Sequence, residues 1–164
     1  MNLIETFETI RDIPFRIPLN KSEEDNCCNG KVIRFKKILD KNRYESRYRV
    51  CEFYWSEVNL PKELLSIPHA DLSTHVYLEI KIDGNWVNVD PTWDKGLKTI
   101  LPVNEWDGKS NTAIAVKPTK IYDTEKSAEI MKDESNENLE KELKDSGEFF
   151  KALNEWLEVK RLKE

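Results

Sequence analysis

Two alternating runs meet at Asp83-Gly84: Val76-Tyr77-Leu78-Glu79-Ile80-Lys81-Ile82 before it and Asn85-Trp86-Val87-Asn88-Val89-Asp90 after it. Period-two alternation of β-branched and aromatic residues around Asp-Gly is the pattern of a β-hairpin with a two-residue turn. That turn length fixes the register: Ile82 opposes Asn85, Ile80 opposes Val87 and Tyr77 opposes Asp90. His75 shares a face with Tyr77, so His75 and Asp90 become diagonal neighbours, where a carboxylate can receive an imidazole N–H. Glu79 lies on the same face, two strand positions further along.

The flanking sequence supplies the other elements. Leu3, Phe7 and Ile10 form one helical stripe, followed by the extended, proline-punctuated segment Ile13 to Pro18. A second helix is expected from about Cys28 to Asp40, with Val32, Phe35 and Leu39 recurring at spacings of three and four. Aromatic and β-branched residues from Ser46 to Trp55 predict a strand, and Thr112 to Val116 another. The last forty residues or so read as helix, broken near Ser146-Gly147, with Leu139, Leu143, Phe150, Leu153 and Trp156 as the apolar face. Helices at both ends of an antiparallel sheet make the expected fold class α+β. At 164 residues the chain is read as one domain, with a core over about 3–120 and a C-terminal helical extension over about 123–162.

Composition excludes several functions. Aromatic residues make up 10% of the chain, too many for a disordered tail. The net charge of −5 has the wrong sign for binding a phosphate backbone, so no nucleic-acid partner is expected. No apolar run approaches membrane-spanning length and the first twenty residues lack a signal-peptide core, so the expectation is a soluble, cytoplasmic protein with no membrane partner. Cys27, Cys28 and Cys51 are an odd set, which argues against a disulfide scaffold. Adjacent cysteines with only His69 and His75 to assist do not make a zinc knuckle, and neither a metal nor another cofactor is expected.

A thiol in the first turn of a helix sits among unpaired backbone amides at the positive end of the dipole, which favours thiolate. Cys28 shares the stripe of Val32, Phe35 and Leu39 and is expected to point inward. Cys27 aligns with Lys31 and Arg34 and is expected to face solvent. Cys51 falls among aromatic strand neighbours and reads as core. Thiol, imidazole and carboxylate thus occur in the order Cys28, His75, Asp90, at intervals of 47 and 15 residues. That is the material of a nucleophile, a base and an orienting group.

The segment Asn26-Cys27-Cys28-Asn29-Gly30-Lys31 followed by an apolar helix resembles the nucleophile segment of the transglutaminase-like superfamily, in which a catalytic Cys opens a helix. His75-Val76-Tyr77-Leu78-Glu79 through Asp90-Pro91-Thr92 resembles that superfamily's His-and-Asp hairpin. The opening Ile10 to Phe15 is similar to the segment such domains place before the Cys, and the resemblance spans roughly residues 3 to 94. It implies a papain-like core, a Cys-bearing helix packed on an antiparallel sheet, with Cys28 as nucleophile, His75 as general base then acid, and Asp90 as orienter.

The resemblance has gaps. Cys27 stands where a Gly often precedes the nucleophile, which leaves open which of the two thiols reacts. The chain has no Gln and no Trp before Cys28, so the superfamily's usual side-chain oxyanion donors are missing. Asn26 and Asn20 are the candidate replacements. Trp86, Trp93 and Trp106 are candidates for cleft walls, with core packing as the alternative fate. The implied activity is a thiol-dependent hydrolase or acyltransferase acting on the amide bonds of a peptide or protein substrate through a Cys thioester, whether protease-like, deamidase-like or transglutaminase-like. The alternative is a catalytically silent scaffold of the same fold serving as a binding module.

Overall fold

The structure, a computed structural model, describes residues 1–133 and 136–162. Its centre is a four-stranded antiparallel sheet: β1 (Ser46–Tyr54), β2 (Leu72–Ile82), β3 (Asn85–Val89) and β4 (Lys120–Ile121), in the order β3-β2-β1-β4. With helices α1 (Leu3–Arg11), α2 (Cys28–Lys41), α3 (Lys62–Leu65), α4 (Thr124–Lys132) and α5 (Asn136–Leu162), this is an α+β fold. No helix among the described residues is long and apolar enough to cross a membrane.

The hairpin has the register that its turn requires, with Ile82 opposite Asn85, Ile80 opposite Val87 and Leu78 opposite Val89. Asp83 and Gly84 both take positive φ, 49° and 83°, as a turn matched to strand twist demands. Alternation along β2 then separates two cores. Val76, Leu78 and Ile80 point to one face, where they pack with Val32, Phe35 and Leu39 of α2 and with Phe7 of α1. Tyr77, with Cys51 and Phe53 of β1, belongs to a second cluster that contains Phe149, Leu153 and Leu157 of α5.

Two expectations are corrected here. Thr112 to Val116 is not a strand. One backbone bond, from the Thr112 N–H to the Asn88 carbonyl at 2.8 Å, is flanked by side-chain bonds: Asn111 Oδ1 accepts the Asn88 N–H at 2.7 Å and the Thr112 hydroxyl accepts the Asp90 N–H at 3.0 Å. Ser146-Gly147 does not break the C-terminal helix, which runs through both residues. The Ser146 hydroxyl is buried and accepts the Ala70 N–H at 2.9 Å, so that residue ties the helix to the segment before β2. The interruption comes earlier, where α4 ends at Lys132 with Asp133 as its cap.

Two α5 side chains, Asn154 and Arg161, tie the helix by hydrogen bonds to the amino-terminal segment and Asp94. The Asn154 amide pairs with both backbone groups of Ile17 at 2.9 Å, extending that segment as a strand partner would. Arg161 grips Asp94 through two hydrogen bonds of 2.9 and 2.7 Å and also donates to the Phe15 carbonyl.

The entry to α2 leaves no room for a larger residue at Gly30. A Cβ there would lie 1.7 Å from the Asp25 carbonyl oxygen, so the loop that leads into Cys28 must shift. Gly30→Ala is therefore expected to destabilise the protein by about 3 kcal/mol, at the upper end of overpacking costs, measured by urea unfolding. A loss under 1 kcal/mol contradicts that close approach.

Candidate active site

Each of the three groups owes its place to a different element. Cys28 is the first residue of α2, so its N–H has no acceptor within the helix. β3 ends at Val89, opposite Leu78, and beyond that point β2 has no strand partner on the same side. The Val76 N–H in that unpaired stretch bonds to the Cys28 sulfur. His75, one residue earlier on β2, is 3% exposed. Asp90 follows the last residue of β3, where the chain leaves the hairpin.

Asp90 is fully enclosed and heavily hydrogen-bonded. Oδ2 accepts from His75 Nε2 and from the Ala115 N–H, both at 2.8 Å. Oδ1 accepts from the Thr92 N–H at 3.1 Å and from the Thr92 hydroxyl at 2.5 Å. The Asn104 amide donates to the Asp90 carbonyl at 2.9 Å, which fixes the backbone as well. Burial alone pushes this carboxyl up. The charge and hydrogen bond of His75, with those from Thr92 and Ala115, prevail and hold it below the usual carboxylate range.

Asp90 occupies Nε2 of the imidazole and leaves Nδ1 for the sulfur. Burial pushes His75 down, but Asp90 and the hydrogen bond to Cys28 outweigh it and raise its pKa to about 10. Cys28 moves the other way. A hydrogen bond from Cys27 and the interactions with His75 and the Val76 N–H overcome burial and lower its pKa to about 5. Cys27 is held well above the ordinary thiol value, first by its hydrogen bond to Cys28 and then by burial. Cys51 is paired across the strands with His75 in the core, and burial pushes it up to about 12. Of the three thiols, then, only Cys28 has surroundings that favour the thiolate. The two groups are shifted in opposite directions, which favours a thiolate beside an imidazolium.

Cys28 and His75 border a cavity of about 80 Å³. Aromatic side chains, Phe15, Phe53, Trp55, Trp93 and Phe150, form much of its wall. It adjoins a groove of about 630 Å³ that shares Cys27, Trp55, Ser73, Thr74, Glu142 and Phe150 with it. Glu142, on α5, lines the same cavity as Cys28 and has its carboxyl pushed up by burial and then by the charge of Cys28. Among the expected cleft tryptophans, Trp93 lines the cavity, packs on Phe15 and donates to the Ala115 carbonyl at 3.0 Å. Trp86 lies elsewhere, under the Arg47 guanidinium at 3.9 Å. Trp106 is in the α1–α2 core against Phe7.

The two asparagines differ. Asn20 is on the outer groove, and its Oδ1 is taken by Ser22 and Glu23 in a local turn. Asn26 bridges through its backbone to Arg16, and its buried Oδ1 has no partner among the described residues. Neither lines the small cavity. His69 does not line the cavity at Cys28: its Nδ1 donates to the Ile67 carbonyl and its ring stacks on Phe149. Cys27, expected toward solvent, is half-buried and borders the cavity. Lys31, expected on the same solvated stripe, is entirely buried.

Sequence patterning places Trp55 on a strand and Phe150 on an apolar helix face but does not bring them, or Glu142, to the cavity. For Trp55 a signal existed, because period-two alternation puts it on the face of Cys51 and Phe53. The register of β1 on β2, which carries that face to His75, is set by long-range pairing and has no local mark. Comparison with known proteins brings no match: no family model, curated protein or solved structure matches the chain.

Proposed function

We propose that the chain is a thiol-dependent enzyme acting on amide bonds, with a papain- or transglutaminase-like core and Cys28, His75 and Asp90 as its working groups. The observation that carries this reading is the 2.8 Å bond from buried His75 to buried Asp90 beside a thiol that opens onto a cavity. The Cys28 thiolate attacks the carbonyl carbon of a peptide or protein amide. Charge develops on the carbonyl oxygen at the open end of α2, where the Cys28 N–H is a donor. Imidazolium His75 gives its proton to the leaving amine, and a thioester remains on Cys28. Water or a second amine then attacks that thioester, with neutral His75 taking the proton. Asp90 keeps the ring oriented throughout. The 630 Å³ groove gives an extended substrate a path to the sulfur. Three free thiols support a reducing compartment such as the cytoplasm.

The test is the pH dependence of iodoacetamide alkylation, followed by mass spectrometry of the labelled peptide. One thiol is expected to react with an acid limb near pH 5, against about 8.5 for an ordinary cysteine. Cys28→Ala abolishes this fast labelling, whereas Cys27→Ala keeps Cys28 as the labelled residue and moves its acid limb upward, because the hydrogen bond from Cys27 is lost. Loss on Cys27→Ala alone would transfer the nucleophile to the neighbouring thiol. An ordinary profile for every thiol would leave the silent binding module as the better description.

A further inference from the structure

We propose that Lys31 is a positioning residue, a buried donor that locks the nucleophile helix to the loop carrying Asp90. The inference rests on reading Cys28, His75 and Asp90 as a thiol centre. Lys31 lies three residues after Cys28 on α2 and is 0% exposed. Its Nζ donates to the Arg11 carbonyl at the end of α1 and to the Thr92 carbonyl, each at 2.8 Å. Thr92 is the residue whose N–H and hydroxyl hold Asp90 Oδ1. One continuous path therefore runs from the turn of helix that carries the sulfur, through Lys31 and Thr92, to the carboxylate that orients His75.

Packing alone does not explain a lysine at this point. The charged groups around it are Asp94, Arg161, Asp12 and Asp90. Asp94 is engaged by Arg161 and by the Phe15 N–H, and Asp12 by Arg11. The two hydrogen bonds that hold Nζ both go to backbone carbonyls. Burial pushes its pKa down to about 7, the mark of an ammonium held at the expense of folding stability. An apolar side chain of similar length fills the same space without that penalty. What such a side chain lacks is a grip on the two carbonyls. Lysine here trades stability for a fixed distance between α2 and the Asp90 loop, and small misplacements of reacting groups carry large rate penalties.

The experiment uses the full chain, comparing Lys31→Met and Lys31→Gln with the unaltered protein by thermal melting and by the pH profile of Cys28 alkylation. Lys31→Met is expected to melt at or above the normal temperature while its alkylation at pH 6 slows about tenfold or more. Lys31→Gln keeps two N–H donors on a shorter arm and is expected to recover part of that rate. The proposal is overturned if Lys31→Met, or Lys31→Gln should the former not fold, follows the unaltered profile. It is equally overturned if melting temperature and reactivity fall together in both variants, because Lys31 is then only a structural support. An ordinary thiol profile in the unaltered protein removes the thiol-centre reading and this one with it. A low-pH profile that neither variant disturbs removes this one alone.

Discussion

His75→Ala is expected to slow alkylation of Cys28 at pH 6 by about a hundredfold, as the thiol moves back toward its ordinary value near 8.5. The unaltered Cys28 has a pKa of about 5 and is mostly thiolate at pH 6. Removing the imidazole takes away a buried positive charge and its hydrogen bond, while the Cys27 and Val76 contacts persist. The variant also leaves Asp90 in the core without its charged partner. Its effect therefore shrinks at pH 9, where an unassisted thiol ionises as well. A rate at pH 6 within threefold of the unaltered protein shows that His75 does not govern the sulfur. The comparison across pH guards against misfolding, since an unfolded variant would expose Cys27 and Cys51 to reagent too.

Asp90→Ala is expected to cost about 3–5 kcal/mol of folding stability, the usual penalty for removing one partner of a buried charge pair. Four donors converge on that carboxylate: His75 Nε2, the Ala115 N–H, the Thr92 N–H and the Thr92 hydroxyl. Alanine strands all of them in a closed space that the side chain formerly filled. Asp90→Asn keeps shape and some acceptors, so it should cost less while still losing the charge that raises His75. Its signature is an imidazole that titrates well below pH 10, followed by NMR of the ring carbons. Equal stability of Asp90→Ala and the unaltered protein in urea sinks this account of the carboxylate.

The hairpin shows how much of this arrangement a reader of the sequence can reach. Asp83-Gly84 sets a turn, the turn sets a register, and the register brings His75 to Asp90 without reference to any other part of the chain. Local rules also open α2 at Cys28. They stop where contacts are distant. Lys31 belongs to the polar stripe by spacing, and only the carbonyls of Arg11 and Thr92, 20 and 61 residues away, draw it inside. The alternation at Thr112, Ile114 and Val116 mimics a strand, yet the segment is used to cap Asp90 through Thr112 and Ala115. Trp86 and Trp106 carry the same aromatic signal as Trp93, and the partners that separate them, Arg47 for one and Phe7 for the other, are not encoded nearby.

Helix α5 supplies Glu142 and Phe150 to the cavity but, among the described residues, no hydrogen bond to the His75–Asp90 pair, whose carboxylate is secured by Thr92 and Ala115. On the proposed reading, the groove wall and the reacting groups are thereby housed on separate parts of the chain. On that reading, replacing α5 side chains that face only the outer groove, such as Lys141 and Asp145, alters what is admitted while leaving Cys28, His75 and Asp90 as they stand. An enzyme of the proposed kind, built this way, can change its diet without relearning its chemistry.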